Sequence, residues 1–206
     1  MLGGDAEAPP TSGDAARRLQ VVDAVGRMVA ARLLIGTTGN VSVRSDRGIL
    51  ITPTRAAYHR LEPADLVKVE VGVRSPRRPA TAPTPSLELP LHLAIYAARP
   101  DVGAVVHTHT PFATAWSFLG RPLEPFTEDF AYYQLGTVRP CAGDAGGEAL
   151  AVAAAAALDD ANGVLLARHG VVSVGATLDL AVDRAAAIEH VAQVAWLLDG
   201  RTPARS

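Results

Sequence analysis

The chain has 206 residues, 49% of them hydrophobic, and a formal net charge of -2 built from charges of both signs. This length suits one domain with ample core, and the mixed, near-neutral charge lacks the basic footprint of a nucleic-acid binder, so no nucleic-acid partner is expected. No apolar stretch reaches the length of a membrane span, so no membrane partner is expected either, and the single cysteine, Cys141, excludes an internal disulfide and a cysteine metal cluster and suits a reducing cytoplasm.

Residues 1–13 read as a disordered tail, without the basic-then-apolar order of a signal peptide. A single domain is expected over residues 14–200, followed by a short frayed tail, 201–206. From Asp14 to Leu34 the residues Leu19, Val22, Val25, Val29 and Leu33 recur at three- and four-residue steps. That spacing predicts an amphipathic helix with Ser12 or Asp14 as N-cap. GTTGN, residues 36–40, is a loop leading into a hairpin. Val41 and Val43 alternate with polar residues, SDRG turns, and Ile49 to Ile51 return. EPADL reads as a helical turn, VKVEV as a strand, and RSPRRPATAPTP as a loop.

Ser86 is the expected cap of a helix reaching about Ala98, with Leu87, Leu91, Ala94 and Ile95 on its core face. The apolar run of residues 102–106 reads as a buried strand ending in His107-Thr108-His109. A short helix from Pro111 to Leu119 follows. Residues 120–140 carry mixed signals and are expected to form strands and an exposed loop. GGEALAVAAAAALDD is an Ala-rich helix. GVLLARHGVVSVG is an apolar strand broken at His169-Gly170, and Thr177 caps a last long helix that Gly200 stops. The mixture favours a sheet with helices on its faces over a doubly wound parallel fold.

Chemistry gathers at the strand ends. Alternation along a strand sends His107 and His109 to one face, a placement that suits a metal; two hydrogen-bonded surface histidines are the bland alternative. His169, directly before Gly170 at the end of a second apolar run, is a third imidazole that could join them and leave an open coordination position. Glu88, near the start of the helix before the central strand, is the candidate carboxylate for proton chemistry, although acids are also favoured in a first helical turn for their own sake. GTTGN offers backbone N–H groups with Thr and Asn side chains to an anion, but it lacks the Gly-Lys-Ser/Thr end of a Walker loop, and by itself a plain loop before a hairpin is the favoured reading. His92, four residues after Glu88 on the same helical side, is expected to be a core or supporting histidine. His59 and His190 are expected at the surface or in packing, Glu189 is expected to pair within or between helices, and Trp116 and Trp196 are expected as core or subunit contacts.

The stretches GTTGNVSVR, ILITPT, PSLE, LHLAIYAARPDVGAVVHTHTPFATA and LLARHGVVSVG, in that order, resemble the class II aldolase/adducin family. The resemblance covers about residues 15–198. It implies a three-layer α/β/α fold with a largely antiparallel central sheet. It implies zinc on His107, His109 and His169, with Glu88 as the catalytic carboxylate; a His-rich site also suits manganese, cobalt or iron. It implies a small-molecule substrate whose phosphate is bound by Thr37, Gly39 and Asn40, with Thr54 and Ser86. It also implies a homotetramer with active sites between subunits.

The chain departs from the family pattern at three places. Ser86-Leu87-Glu88 stands where the aldolases usually have Ser-Ser-Glu, so one phosphate-binding hydroxyl is gone. Arg55 stands where a glycine usually follows, and its guanidinium could pair with a carboxylate or phosphate or stay solvated. The family's tyrosine acid falls on Glu128 in an ungapped count, which leaves Tyr132 or Tyr133 as substitutes. The expected activity is therefore a metal-dependent aldolase, with a decarboxylase of a hydroxylated carboxylic acid as the alternative. A sugar-phosphate dehydratase and a non-catalytic adducin-like protein rank below these.

Overall fold

The computed structural model describes residues 13–70 and 83–200. Within them lie the strands β1 (Asn40–Ser45), β2 (Gly48–Ile51), β3 (Val67–Glu70), β4 (Ala104–Thr108), β5 (Arg139–Cys141), β6 (Gly163–Leu166) and β7 (Gly170–Gly175). The helices are α1 (Gly13–Ala30), α2 (Leu89–Ala98), α3 (Pro111–Ser117), α4 (Glu128–Tyr132), α5 (Glu148–Leu158) and α6 (Leu178–Asp199). All seven strands join one sheet in the order β3-β2-β1-β4-β7-β6-β5, with β4 at its centre. Only the β5–β6 pairing is parallel.

The strand period of two decides which helix each residue meets. Ala104 and Val106 of β4 pack with Val25 and Met28 of α1 and with Ala181 and Ala185 of α6. Val105, pointing the other way, packs with Ile95 of α2 and with Leu150 and Ala154 of α5. Helices thus cover both faces, giving the expected three layers, and a strand buried on both faces reads as an unbroken apolar run.

Some boundaries differ from expectation. α1 stops at Ala30, because Arg32 takes a positive φ of 59° and the N–H groups of Leu33 and Leu34 turn back to the Met28 carbonyl. Leu33 and Leu34 are still buried, so they kept the apolar rhythm beyond the helix end. Ser86 is not the cap of α2; Glu88 holds that position, and Pro90, which lacks an N–H, sits in the first turn where none is needed. The Ser86 hydroxyl instead accepts the N–H of Glu88. Residues 120–140 supply an isolated bridge, Leu123 with Val138, then the short helix α4 and β5, rather than strands alone. The segments expected as tails, 1–12 and 201–206, and residues 71–82, which hold the last residue of the expected strand VKVEV and most of the loop expected at 74–85, lie outside the described residues; Gly13, expected in the tail, opens α1. No helix among the described residues is long and apolar enough to cross a membrane.

Candidate metal centre

The ends of three central strands meet at one end of the sheet. The start of β1 pairs with the end of β4, Asn40 opposite His107, and the start of β7 pairs there too, Thr108 opposite Val171. His107, next to last in β4, is fully buried, and His109 follows just past the strand's end on the same side. His169 lies in the tight loop joining β6 to β7 rather than inside a strand. Arg168 at φ 58° makes that turn possible, and the His169 N–H closes it on the Leu166 carbonyl at 3.0 Å. The three imidazole centroids stand 4.7–4.8 Å apart in edge-on pairs.

Two glycines allow this approach. A Cβ on Gly170 would stand 2.3 Å from the Thr108 carbonyl oxygen and 3.1 Å from the His109 ring. Gly39, at φ 79°, would place a Cβ 2.5 Å from the His107 carbonyl oxygen. Gly170→Ala is therefore expected to lower Tm by about 5–10 °C, from roughly 2–3 kcal/mol of overpacking, and to weaken metal binding. An unchanged Tm in a thermal melt would count against the close packing.

Glu88 reaches the same point from the start of α2. Its Oε2 is 3.1 Å from His107 Nε2, and its Oε1 is 3.4 Å from His169 Nε2. Asn40 Nδ2 donates to Oε2 at 2.7 Å, whereas Oε1 is buried with no hydrogen-bond partner. The His107 Nδ1–H donates to the Val171 carbonyl at 3.0 Å, which leaves the Nε2 lone pair facing both the carboxylate and His109 Nε2, the latter at 2.8 Å. Electron pairs converge here with too few protons to mediate them, the donor set of a divalent cation. The nitrogen atoms all lie within 4.8 Å of one another. Burial, with repulsion from His109 and His169, holds the His107 pKa well below the ordinary imidazole value. His109 is lowered by burial and by His169. Both rings therefore offer lone pairs at neutral pH, as a metal requires.

The sequence-predicted anion loop is at the same place. Thr37, Gly39, Asn40, Thr54, Arg55 and Ser86 line a cavity of about 270 Å³ together with Leu87, Glu88, His109 and His169. Arg55 is exposed and adopts φ 54°; Leu87, at the missing hydroxyl, is 70% exposed. Glu128, Tyr132 and Tyr133 do not line this cavity, and Tyr132 is 79% exposed. His59 and His190 are exposed, and Trp116 is buried.

Two further groups support the site. The Glu189 carboxylate accepts the N–H groups of Phe112 and Ala113 at 3.0 and 2.8 Å, capping α3 just after His109. No local spacing marks it, since the partners are 77 and 76 residues apart. His92, expected as a core or supporting histidine, is fully buried beside Asn40, and burial, then the nearby His107, pushes its pKa down to about 3. A histidine depressed when folded contributes stability above its unfolded value, near 6.5, and loses it as pH falls toward the folded value. The metal-free protein should therefore lose denaturation midpoint steadily as pH falls from about 6.5 to about 5, above the pH at which ordinary carboxylates are half-protonated. A midpoint flat across that range would contradict the neutral buried histidines.

A family model described as Class II Aldolase and Adducin N-terminal domain matches residues 19–196. A 5-methylthioribulose-1-phosphate/5-deoxyribulose-1-phosphate aldolase from Rhodospirillum rubrum is 39% identical over 184 residues, 88% of this chain and 80% of that one. An L-fuculose phosphate aldolase from Escherichia coli is 36% identical over 177 residues, 85% of this chain and 80% of its own. The solved structure of YgbL from Escherichia coli, described as an aldolase, epimerase or decarboxylase without a choice among them, superposes with a TM-score of 0.82 at 28% identity, covering 94% of each chain. With the fold, the three-histidine site and these likenesses in agreement, the chain belongs to the class II aldolase and adducin N-terminal domain family.

Proposed function

We propose that this protein is a metal-dependent carbon–carbon lyase, an aldolase acting on a small ketose 1-phosphate or related hydroxy-carbonyl compound. The observation that supports it most is the convergence of three imidazoles on Glu88, whose Oε1 is buried and unpartnered. The names of two relatives, both aldolases of ketose phosphates, support the substrate class. His107, His109 and His169 would hold the cation, zinc or else manganese, cobalt or iron. Bound there, it supplies Lewis-acid polarisation of a carbonyl and stabilisation of negative charge on oxygen.

The chain's own residues do the rest. In cleavage the C3–C4 bond breaks, its electron pair stays on C3, and the C4 hydroxyl loses its proton as the aldehyde forms. Glu88 delivers a proton to C3, completing dihydroxyacetone phosphate, and removes that proton in synthesis. Thr37, Gly39, Asn40, Thr54, Arg55 and Ser86 bind the phosphate, with Arg55 supplying the positive charge. Tyr132 or Tyr133 of a neighbouring subunit would take the C4 proton in a homotetramer with sites between subunits. The exposed Phe126, Leu197 and Leu198 offer apolar area for such contacts. Cytoplasmic location accords with the free, half-buried Cys141.

A decarboxylase is the second reading, favoured because no tyrosine stands among the described residues that line the cavity and carbon dioxide leaves without an acid. A panel of ketose 1-phosphates and hydroxylated carboxylic acids separates the two. Aldehyde with dihydroxyacetone phosphate is the expected product; carbon dioxide from the acids alone would overturn the aldolase assignment.

A further inference from the structure

Glu88, His92 and Tyr96 lie on one side of the α2 segment at four-residue steps, and Asn40 and Ser42 lie on one face of β1 at a two-residue step. Four helical residues rise about 6 Å and two strand residues about 6.8 Å, so the rows stay in step. Polar atoms from the two rows interleave in a zigzag through the buried interface. Asn40 Nδ2 meets Glu88 Oε2 at 2.7 Å, and Asn40 Oδ1 meets His92 Nε2. His92 Nδ1 meets Ser42 Oγ at 2.6 Å, and Ser42 Oγ meets the Tyr96 hydroxyl at 2.9 Å. All five residues are buried.

The donors have one consistent direction when Glu88 is ionised. A carboxylate requires the Asn40 amide N–H, so Asn40 Oδ1 faces His92 and His92 carries its proton on Nε2. His92 Nδ1 then accepts from the Ser42 hydroxyl, which in turn accepts from the Tyr96 hydroxyl. Tyr96 is anchored beyond the site, with the Arg44 guanidinium 4.7 Å above its ring and bonded to its carbonyl. The chain ends on Oε2, while Oε1 accepts no hydrogen bond from the described residues and lies 3.4 Å from His169 Nε2.

We propose that Tyr96, Ser42 and His92 are positioning residues that act through Asn40 to clamp Glu88 by Oε2, so that proton transfer to and from carbon occurs at Oε1. This rests on the reading of Glu88 as the proton-transferring group. Hydrogen bonds in such a chain polarise one another, and a displacement of about 1 Å at a reacting group can cost as much as 100-fold in rate.

The test uses the full chain and two readouts. In the metal-free protein with nitrogen-15-labelled histidine, NMR should find His92 neutral with its proton on Nε2; a proton on Nδ1 would overturn the chain. In the zinc-loaded protein in heavy water, hydrogen exchange at the C3 hydroxymethyl of dihydroxyacetone phosphate isolates the proton step. His92→Leu should slow exchange about 10- to 100-fold with unchanged zinc content and unchanged KM for dihydroxyacetone phosphate. His92→Gln, which keeps a donor for Asn40 and an acceptor for Ser42, should return it to within a few-fold. Wild-type exchange in the leucine variant, or no rescue by glutamine, would overturn the proposal. Should His92→Leu fail to fold, Tyr96→Phe, which deletes one oxygen, should still slow exchange by a few-fold at constant KM, and an unchanged rate would overturn it. A wild-type protein that binds dihydroxyacetone phosphate yet exchanges no hydrogen refutes the role of Glu88, while the NMR result still judges the chain.

Discussion

Glu88→Gln is expected to lower kcat on a ketose 1-phosphate by about 10²- to 10⁴-fold, the range for loss of a positioned acid–base group. The substitution is nearly isosteric. The glutamine oxygen can still accept from Asn40 Nδ2, as Oε2 does now at 2.7 Å, and the amide nitrogen takes the place of the unpartnered Oε1. The fold and the three-imidazole cluster should therefore survive, while the atom that exchanges a proton with carbon is lost. Steady-state kinetics beside metal analysis of the same sample checks this. A turnover number within about twofold of wild type would remove Glu88 from proton transfer.

His169→Ala is expected to abolish metal binding and activity together. His169 stands in a loop, its side chain is 19% exposed, and its ring touches the other two imidazoles. Removing it leaves two nitrogens where three converged. Loss of a group that merely supports a ligand typically costs 10- to 100-fold in affinity, so losing a ligand should cost at least about 100-fold. The loop itself should persist, because its turn depends on the backbone of Arg168 and Gly170. Competition with a chelator measures the affinity, and wild-type metal occupancy in this variant would refute His169 as a ligand.

The sheet was legible because its strands are short apolar runs bounded by turn residues. Each central strand is covered on both faces, which makes the signal strong. The three-histidine cluster was legible because imidazoles at strand ends beside glycines are chemically conspicuous, and the family because five motifs in order resemble it. Helix ends were less legible: Leu33 and Leu34 are buried as if helical, yet a left-handed Arg32 had already turned the chain. Residues 127–133 hid a short helix because its buried anchor, Phe130, stands almost alone. Long-range polar partners left no local trace. Glu189 capping α3, and Ser42 joining Tyr96 to His92, depend on the packing of elements far apart in sequence.

Anomalous diffraction at the zinc edge, on crystals of the full chain grown with zinc, tests the central assignment most directly. One peak within bonding distance of His107, His109 and His169 is the predicted result. Zinc bound elsewhere, with those three rings hydrogen-bonded only to one another and to Glu88, would contradict it.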